Sequence, residues 1–379
     1  MILVTSQYDT LFESVEIPRG VRCVMPPGTD GGIRRMHAEL GLAAPRVSRL
    51  GHYTRPYCGQ DLDGKRLLAW RGTGVGDQLV FAGLLGILKR RWPSCEISFA
   101  VDGQRYDWLW HQAENLPFTA RRLPIPFDAW KRHDYHLIGL GLVEDDHEPD
   151  QPDIWTGHLQ FAGLDPATVP AGERLPVVPI CDRDRCDAHD RLDELGIGAG
   201  RRVVVWQVAS STPVRSYAPR ETAVALRRLA RELPNDCAII ASGTRRAGGA
   251  YEAAQRVRGV HWIDSWPIRS VFALVERAAC VVAPDSCLGH AAGGLAVPCV
   301  SLWSSFLPAD RVATYASHRP IVGEIECSPC RHHEKGSRLH GCPLAGKRNR
   351  GVWCAGLRRI EPEKIVAKVM EVMENVSGT

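Results

Sequence analysis

Residues 66–91 read Arg66-Leu-Leu-Ala-Trp-Arg71-Gly-Thr-Gly-Val-Gly76-Asp77-Gln-Leu-Val-Phe-Ala-Gly-Leu-Leu-Gly-Ile-Leu-Lys-Arg-Arg91. A short apolar run over Arg66–Trp70, a glycine-rich turn and a long apolar helix from Asp77 to Arg91 make the opening of a βαβ unit. Strands at Glu96–Val101 and Tyr135–Leu140 continue the alternation. A passage carrying Pro166, Pro170, Pro176 and Pro179 has no helical period and reads as an interdomain connection. The alternation then restarts: strand Arg202–Gln207, helix Pro219–Leu233, strand Cys237–Ala241, helix Ala247–Val257, helix Pro267–Ala278, strand Cys280–Ala283, helix Ser286–Leu295 and strand Val297–Leu302. Two consecutive α/β domains follow from this pattern, and open parallel sheets bind ligands beyond the carboxyl ends of their strands. Residues Glu361–Val376 form a closing amphipathic helix with Pro362 in its first turn.

The first 64 residues fall outside the alternation. Met1–Thr5 and Val21–Met25 read as strands, and the turn-rich stretch from Pro26 to Gly32 as a loop, so this part is an appended small domain.

Composition narrows the function classes. A chain of 379 residues with 44% hydrophobic side chains builds real cores and about two or three domains. A net charge of +4 gives no global field of the kind that marks nucleic-acid or membrane-surface proteins. The charge is uneven, however: Cys327–Arg359 holds Arg331, Lys335, Arg338, Lys347, Arg348, Arg350, Arg358 and Arg359 against Glu334 alone, a local +7 that leaves the rest at −3. An odd count of 13 cysteines without a signal-like start argues for a reducing cytoplasm rather than a disulfide framework. No run reaches the ~20 apolar residues of a membrane span.

The turn after Arg71 has glycines spaced GxGxG, unlike the GxGxxG of dinucleotide sites. Asp77 stands in the first helical turn, where a pyrophosphate would be repelled by a carboxylate. The helix N-terminus favours an ionised Asp by ~0.3–1 kcal/mol, so Asp77 suits a general base better than a phosphate cradle. By spacing alone it serves equally as a helix cap. At the second site, Asp285-Ser-Cys-Leu-Gly-His290 opens a helix of small residues where a diphosphate can approach backbone amides. Asp285 would accept from a sugar hydroxyl, and His290 would donate to a phosphate or orient Asp285. An Asp and a His in such a place also serve purely structural ends.

Taken together, Arg71-x4-Gly76-Asp77 ahead of a helix ending Leu88-Lys-Arg-Arg-Trp-Pro93, and later Asp285-Ser286-x3-His290-Ala-Ala-x5-Pro298, resemble the heptosyltransferase family, glycosyltransferase family 9. The resemblance spans roughly residues 65–376. It implies an α/β chain of GT-B architecture with two facing Rossmann-like domains: an acceptor-side domain at 65–180 and a donor-binding domain at 181–379, behind the small N-terminal domain at 1–64. It implies Asp77 as general base with Arg71 at the strand end. Donor binding falls to Ser210, Ser211, Thr212 and Arg215 of the loop after the second domain's first strand, and to Asp285, Ser286 and His290. Two positions depart from the family pattern: Gly83 stands where proline is usual, and Cys287 where glycine is usual, placing a thiol beside the donor phosphates. The implied reaction is an inverting transfer of heptose from a nucleotide sugar, ADP-heptose in the leading reading. Its acceptor is a lipopolysaccharide core sugar or a serine of a surface protein. Arg215 and the amides at Ser286 would stabilise the leaving diphosphate, and no DxD-like cluster calls for a catalytic metal.

Cys327-x2-Cys330-x11-Cys342-x11-Cys354 has the donor set of a four-thiolate Zn site, with Fe an alternative; ordinary thiols are the plainer reading. With the N-terminal extension, this finger at 327–354 resembles the autotransporter O-heptosyltransferase branch, whose finger holds iron. The basic segment around it would meet an anionic glycolipid, an acceptor protein or another copy of the chain. Two other classes compete. A nucleic-acid-binding or DNA-modifying protein would use the cysteines as a zinc ribbon, which the weak net charge disfavours. An NAD-dependent oxidoreductase would use Asp102 as its ribose acid, which the glycine spacing and Asp77 oppose.

Overall fold

The computed structural model describes residues 2–5, 10–12, 15–17, 22–25, 29–49, 55–71, 74–102, 107–123, 125–126, 133–139, 152–243, 249–331 and 353–377. The chain divides into two compact units, one of residues 1–142 with 158–169 and one of residues 143–157 with 170–379.

The first unit begins with strands β1 (Ile2–Thr5), β2 (Thr10–Phe12), β3 (Val15–Ile17) and β4 (Arg22–Met25), helix α1 (Thr29–Glu39) and strand β5 (Arg46–Arg49). β6 (Arg55–Pro56), β7 (Arg66–Arg71), α2 (Val75–Arg91), β8 (Glu96–Asp102), α3 (Asp107–Trp110), β9 (Thr119–Leu123), β10 (Ile125–Pro126), β11 (Tyr135–Gly139) and α4 (Ile154–Phe161) follow. A parallel sheet runs β6-β11-β7-β8-β9. Its central strand β7 buries every residue after Arg66, which is why this run carries no polar alternation. α2 is buried from Gln78 through Leu88, so its apolar residues surround the helix instead of forming one stripe. β8 and β11 leave β7 on opposite sides, so the strand order reverses at the carboxyl end of β7, where Arg71 stands beside Gly139. A second, antiparallel sheet runs β10-β4-β1-β5.

Two expectations change here. The Pro26–Gly32 stretch is not all loop, because α1 starts at Thr29 and turns Ile33 and His37 inward, a spacing the glycines at 31 and 32 conceal. Arg55–Pro56 belongs to the larger parallel sheet, with Arg55 opposite Tyr135.

In the second unit the elements are α5 (Asp182–Glu194), β12 (Arg202–Gln207), α6 (Pro219–Glu232), β13 (Cys237–Ser242), α7 (Glu252–Gln255), β14 (Val260–Ile263), α8 (Ile268–Arg277) and β15 (Cys280–Pro284). α9 (Cys287–Gly294), β16 (Cys299–Trp303), α10 (Pro308–Arg311), β17 (His318–Val322), α11 (Ala355–Arg358) and α12 (Pro362–Ser377) complete it. Its parallel sheet is ordered β14-β13-β12-β15-β16-β17. In chain order this is 3-2-1-4-5-6, the doubly wound arrangement, with its switch point between β12 and β15. The Pro-rich connection contains two 3-10 turns, Pro166–Thr168 and Ala171–Glu173, the first capped by Asp165 Oδ1 accepting from Ala167 N at 2.9 Å. The helix expected over Ala247–Val257 shortens to a 3-10 turn at Gly249–Tyr251 followed by α7, with residues 244–248 outside the described set. Among the described residues no helix is long and apolar enough to cross a membrane.

Candidate active site

Each unit carries one group of candidate residues at the carboxyl edge of its parallel sheet. In the first, Arg71 ends β7 with its side chain 2% exposed, and its Nη2 lies 3.8 Å from Asp77 Oδ2. A buried guanidinium retains an opposite charge at modest range, because leaving it uncompensated would cost several kcal/mol. Asp77 is the third residue of α2 and one-quarter exposed, so its carboxylate reaches solvent from a helix N-terminus. Gly74, at φ +73°, makes the turn into α2 and leaves room for that carboxylate. The next residue, Gln78, is fully buried and accepts from Trp110 Nε1 at 2.7 Å, which fixes the rotation of the first helical turn. Gly72 and Thr73 lie outside the described residues.

The group in the second unit flanks the switch point between β12 and β15. The loop after β12 braces itself: Ser216 Oγ accepts from Ser210 N at 2.9 Å and donates to Thr212 O at 2.7 Å, and Ser210 Oγ donates to Thr212 O at 3.0 Å. Arg215 Nη2 donates to Ser211 Oγ at 2.6 Å, and its Nη1 lies 3.4 Å from both the backbone O and the Oδ2 of Asp285. Two donors in this loop, Thr212 Oγ1 and Arg215 Nε, are buried and without a hydrogen-bond partner among the described residues. Buried donors left unsatisfied are costly, and a bound ligand or water is one way to satisfy them. Ser286 is the N-cap of α9, but its hydroxyl turns to Gln207 Oε1 rather than to its own helix. Gln207 Oε1 also accepts from Leu288 N at 3.3 Å, and its Nε2 donates to Ala209 O at 3.1 Å. The cap of α9 is thus supplied by the last residue of β12. His290, 5% exposed, faces Tyr315, with Nδ1 3.0 Å from the phenolic oxygen. Burial pushes the Cys287 thiol up to about 11, against the opposing pull of Gln207, nearby amides and Arg215.

Residues 146–339, just over half the chain, match the family model for glycosyltransferase family 9 (heptosyltransferase). The chain belongs to glycosyltransferase family 9. As a family 9 glycosyltransferase it shares its α/β, GT-B-like fold with solved relatives. It is similar to ADP-heptose lps heptosyltransferase II of E. coli, with 14% identity and a TM-score of 0.59 over 82% of this chain and 99% of that one. It is similar also to TibC, a bacterial iron-containing dodecameric glycosyltransferase of enterotoxigenic E. coli, with 13% identity and a TM-score of 0.55 over 99% of this chain and 91% of that one. A second structure of TibC, in complex with ADP-D-beta-D-heptose, matches at 13% identity and a TM-score of 0.55 over 88% and 82% of the two chains. No curated protein sequence matches the chain.

The transferase's cysteine segment is only partly within the described residues, since Cys342, His332, His333 and His340 lie outside them. Cys327 and Cys330 are half-buried and Cys354 is buried. Both parts return to the turn after β16. Ser328 Oγ donates to Ser304 O at 2.5 Å, Arg331 N donates to Ser305 O at 2.6 Å, and Cys354 Sγ lies 3.5 Å from Ser304 Oγ. Among the described residues no three His, Cys, Asp or Glu side chains gather into a metal-holding group.

Three contributors to the second unit's candidate site were not singled out from sequence. Gln207 interrupts the Val-Val-Val-Trp run of β12 with a polar side chain, which is a usable signal. Ser216 and Tyr315 carry none, because their partners are fixed only by the folded loops.

Proposed function

We propose that this glycosyltransferase moves heptose from ADP-heptose to an acceptor hydroxyl with inversion at the anomeric carbon. The observation that carries the donor reading is the pair of buried unpartnered donors, Thr212 Oγ1 and Arg215 Nε, beside the Asp285–His290 helix start at a switch point. A diphosphate meets both donors and the N-terminal field of α9. Asp77 takes the proton from the acceptor hydroxyl as its oxygen bonds to the anomeric carbon. The bond from that carbon to the diphosphate breaks, and its electron pair leaves with ADP, held by Arg215 with Ser210, Ser211 and Thr212 lining the loop. Asp285 holds Arg215, and Arg71 pairs with Asp77.

The acceptor in this proposal is a lipopolysaccharide core sugar or a serine of a surface protein, and the enzyme works in the cytoplasm as an assembly of several copies. The dodecameric state of TibC supports the last point. Residues 1–64, apart from Arg55–Pro56 in the parallel sheet, serve as an appended domain, 65–180 bind the acceptor and 181–379 bind the donor. Cys327, Cys330, Cys342 and Cys354 would hold a structural Zn or Fe ion, which would cross-link the segment through four thiolates. The common tether of Ser328 and Cys354 to Ser304 supports that assignment, as does the iron of TibC.

Calorimetry with ADP, UDP, GDP and NAD tests the donor reading, and preference for any but ADP overturns it. Mass spectrometry of products from ADP-heptose and the two acceptor classes identifies the acceptor. Metal analysis of purified protein beside Cys330→Ser tests the finger: a metal-free, stably folded wild type refutes it.

A further inference from the structure

We propose that Tyr315 is a positioning residue that fixes the ring tautomer of His290, placing the imidazole proton on Nε2 for the donor diphosphate. The inference rests on the donor reading of the site around Asp285 and His290 and assigns a role to Tyr315, in the turn between α10 and β17.

The contact is short and dry. Tyr315 is 3% and His290 5% exposed, and the phenolic oxygen stands 3.0 Å from Nδ1. Either group can in principle supply the proton of that bond, so its direction decides which ring nitrogen of a neutral His290 is left as a donor. Burial raises the ionisation of Tyr315 far above its ordinary range, opposed by Trp155 beside the hydroxyl and by Arg311, while Asp285 adds to the rise. The phenol therefore keeps its proton and can donate it to Nδ1. That direction leaves His290 with an Nε2–H. On the donor reading, in which Nε2 faces the diphosphate, the reverse direction would turn an Nε2 lone pair toward an anion, which is repulsive.

The surroundings hold the phenol in place. Its ring meets His290 edge-on, with centroids 5.9 Å apart and planes at 81°, and meets His318 at 5.3 Å and 69°. On another side it rests on Gly293, where a Cβ would come 2.4 Å from its Cδ2. The backbone is closed at both ends, since Tyr315 N donates to Val312 O at 2.9 Å and His318 N donates to Tyr315 O at 3.0 Å.

His318 gives the same arrangement a second anchor whose direction is fixed. Trp303 Nε1 can only donate, and does so to Ser301 Oγ at 2.8 Å. Gly289 O can only accept, and stands 3.1 Å from His318 Nε2. The Ser301 hydroxyl thus donates to His318 Nδ1 across 3.2 Å, and Nε2 carries the proton. The carbonyl so held belongs to the residue before His290. One histidine fixes the backbone, and the tyrosine beside it fixes the ring.

The test uses the full chain labelled with 15N-histidine, in which long-range 1H–15N spectra separate the two tautomers and His290→Gln identifies the His290 signals. Wild type is expected as the Nε2–H form. Tyr315→Phe keeps the ring but removes the hydroxyl, so the His290 signals should move toward a mixture of tautomers. ADP dissociation should then rise about three- to tenfold, the range of one neutral hydrogen bond, with kcat changed less. An Nδ1–H form in wild type overturns the proposal without any variant, so it stays testable even if Tyr315→Phe does not fold. An unchanged tautomer in a folded Tyr315→Phe overturns it as well. Failure of wild type to bind ADP, with the tautomer still dependent on Tyr315, overturns the donor reading and leaves the tyrosine–histidine relation standing.

Discussion

Gly74 and Asp77 are packed so closely that a methyl group on Gly74 would lie 2.0 Å from Asp77 Oδ2. The glycine also sits at φ +73°, where an L side chain is strained. Gly74→Ala should therefore displace the carboxylate and cost about 1–3 kcal/mol of stability. With Asp77 as the base, kcat should fall at least tenfold with little change in ADP affinity, and Asp77→Asn should be more severe. Steady-state kinetics beside calorimetry check this. Full turnover in Asp77→Asn removes the residue from the mechanism.

Gln207 separates helix capping from donor binding. Its Oε1 takes the Ser286 hydroxyl and the Leu288 amide together. Gln207→Leu abandons both donors and should cost about 1–3 kcal/mol of stability together with donor affinity. Gln207→Glu retains the acceptor and adds a negative charge that the start of α9 welcomes but loses the donor to Ala209 O, so it should cost less stability than Gln207→Leu. The same charge repels a diphosphate, and ADP binding should weaken by tenfold or more. Denaturant titration and calorimetry on both variants decide it. Unchanged ADP affinity in Gln207→Glu would place the donor phosphates elsewhere.

What the chain discloses before folding follows from how locally each feature is encoded. β7, α2 and β12 are apolar along their length because they are buried on all sides, so their identity is written in consecutive residues. α5 is nearly silent, since only Ala188 and Leu192 are buried among charges that pair with each other, such as Arg191 with Asp187. β17 is masked by Pro320, which an edge strand tolerates. At the site, Arg71, Asp77 and the Asp285–His290 segment stand in recognisable spacings. Gln207, Ser216 and Tyr315 act through partners up to 81 positions away, and such contacts exist only once the loops have closed.

Cys287 should be a sluggish nucleophile despite standing at a helix start beside Arg215. Burial outweighs both influences and pushes its thiol up to about 11. At pH 7.5 the thiolate fraction is then more than about a hundredfold below that of an ordinary thiol near 8.5. Alkylation by iodoacetamide, followed by peptide mapping, should be slow at pH 7.5 and rise about tenfold per pH unit toward 10. Saturating ADP should slow it further. Rapid labelling at pH 7.5 would contradict the raised ionisation of the thiol.

His318 should make stability depend on mild acid. Burial lowers its ionisation from 6.5 to about 4, with nearby His290 and Arg319 acting in the same direction and the bond to Gly289 O opposing. Above pH 6.5 the ring is neutral folded and unfolded, so it gives no slope. As pH falls from 6.5 to 4 the unfolded chain takes up a proton that the folded chain refuses, and stability drops by up to about 3 kcal/mol. His318→Gln can still donate to Gly289 O and accept from Ser301 but has no proton to gain. Denaturant unfolding at pH 7.5, 6, 5 and 4.5 should show a shallower decline for this variant, even where its stability at pH 7.5 is lower. Parallel declines in the two proteins would mean that another group carries the acid sensitivity.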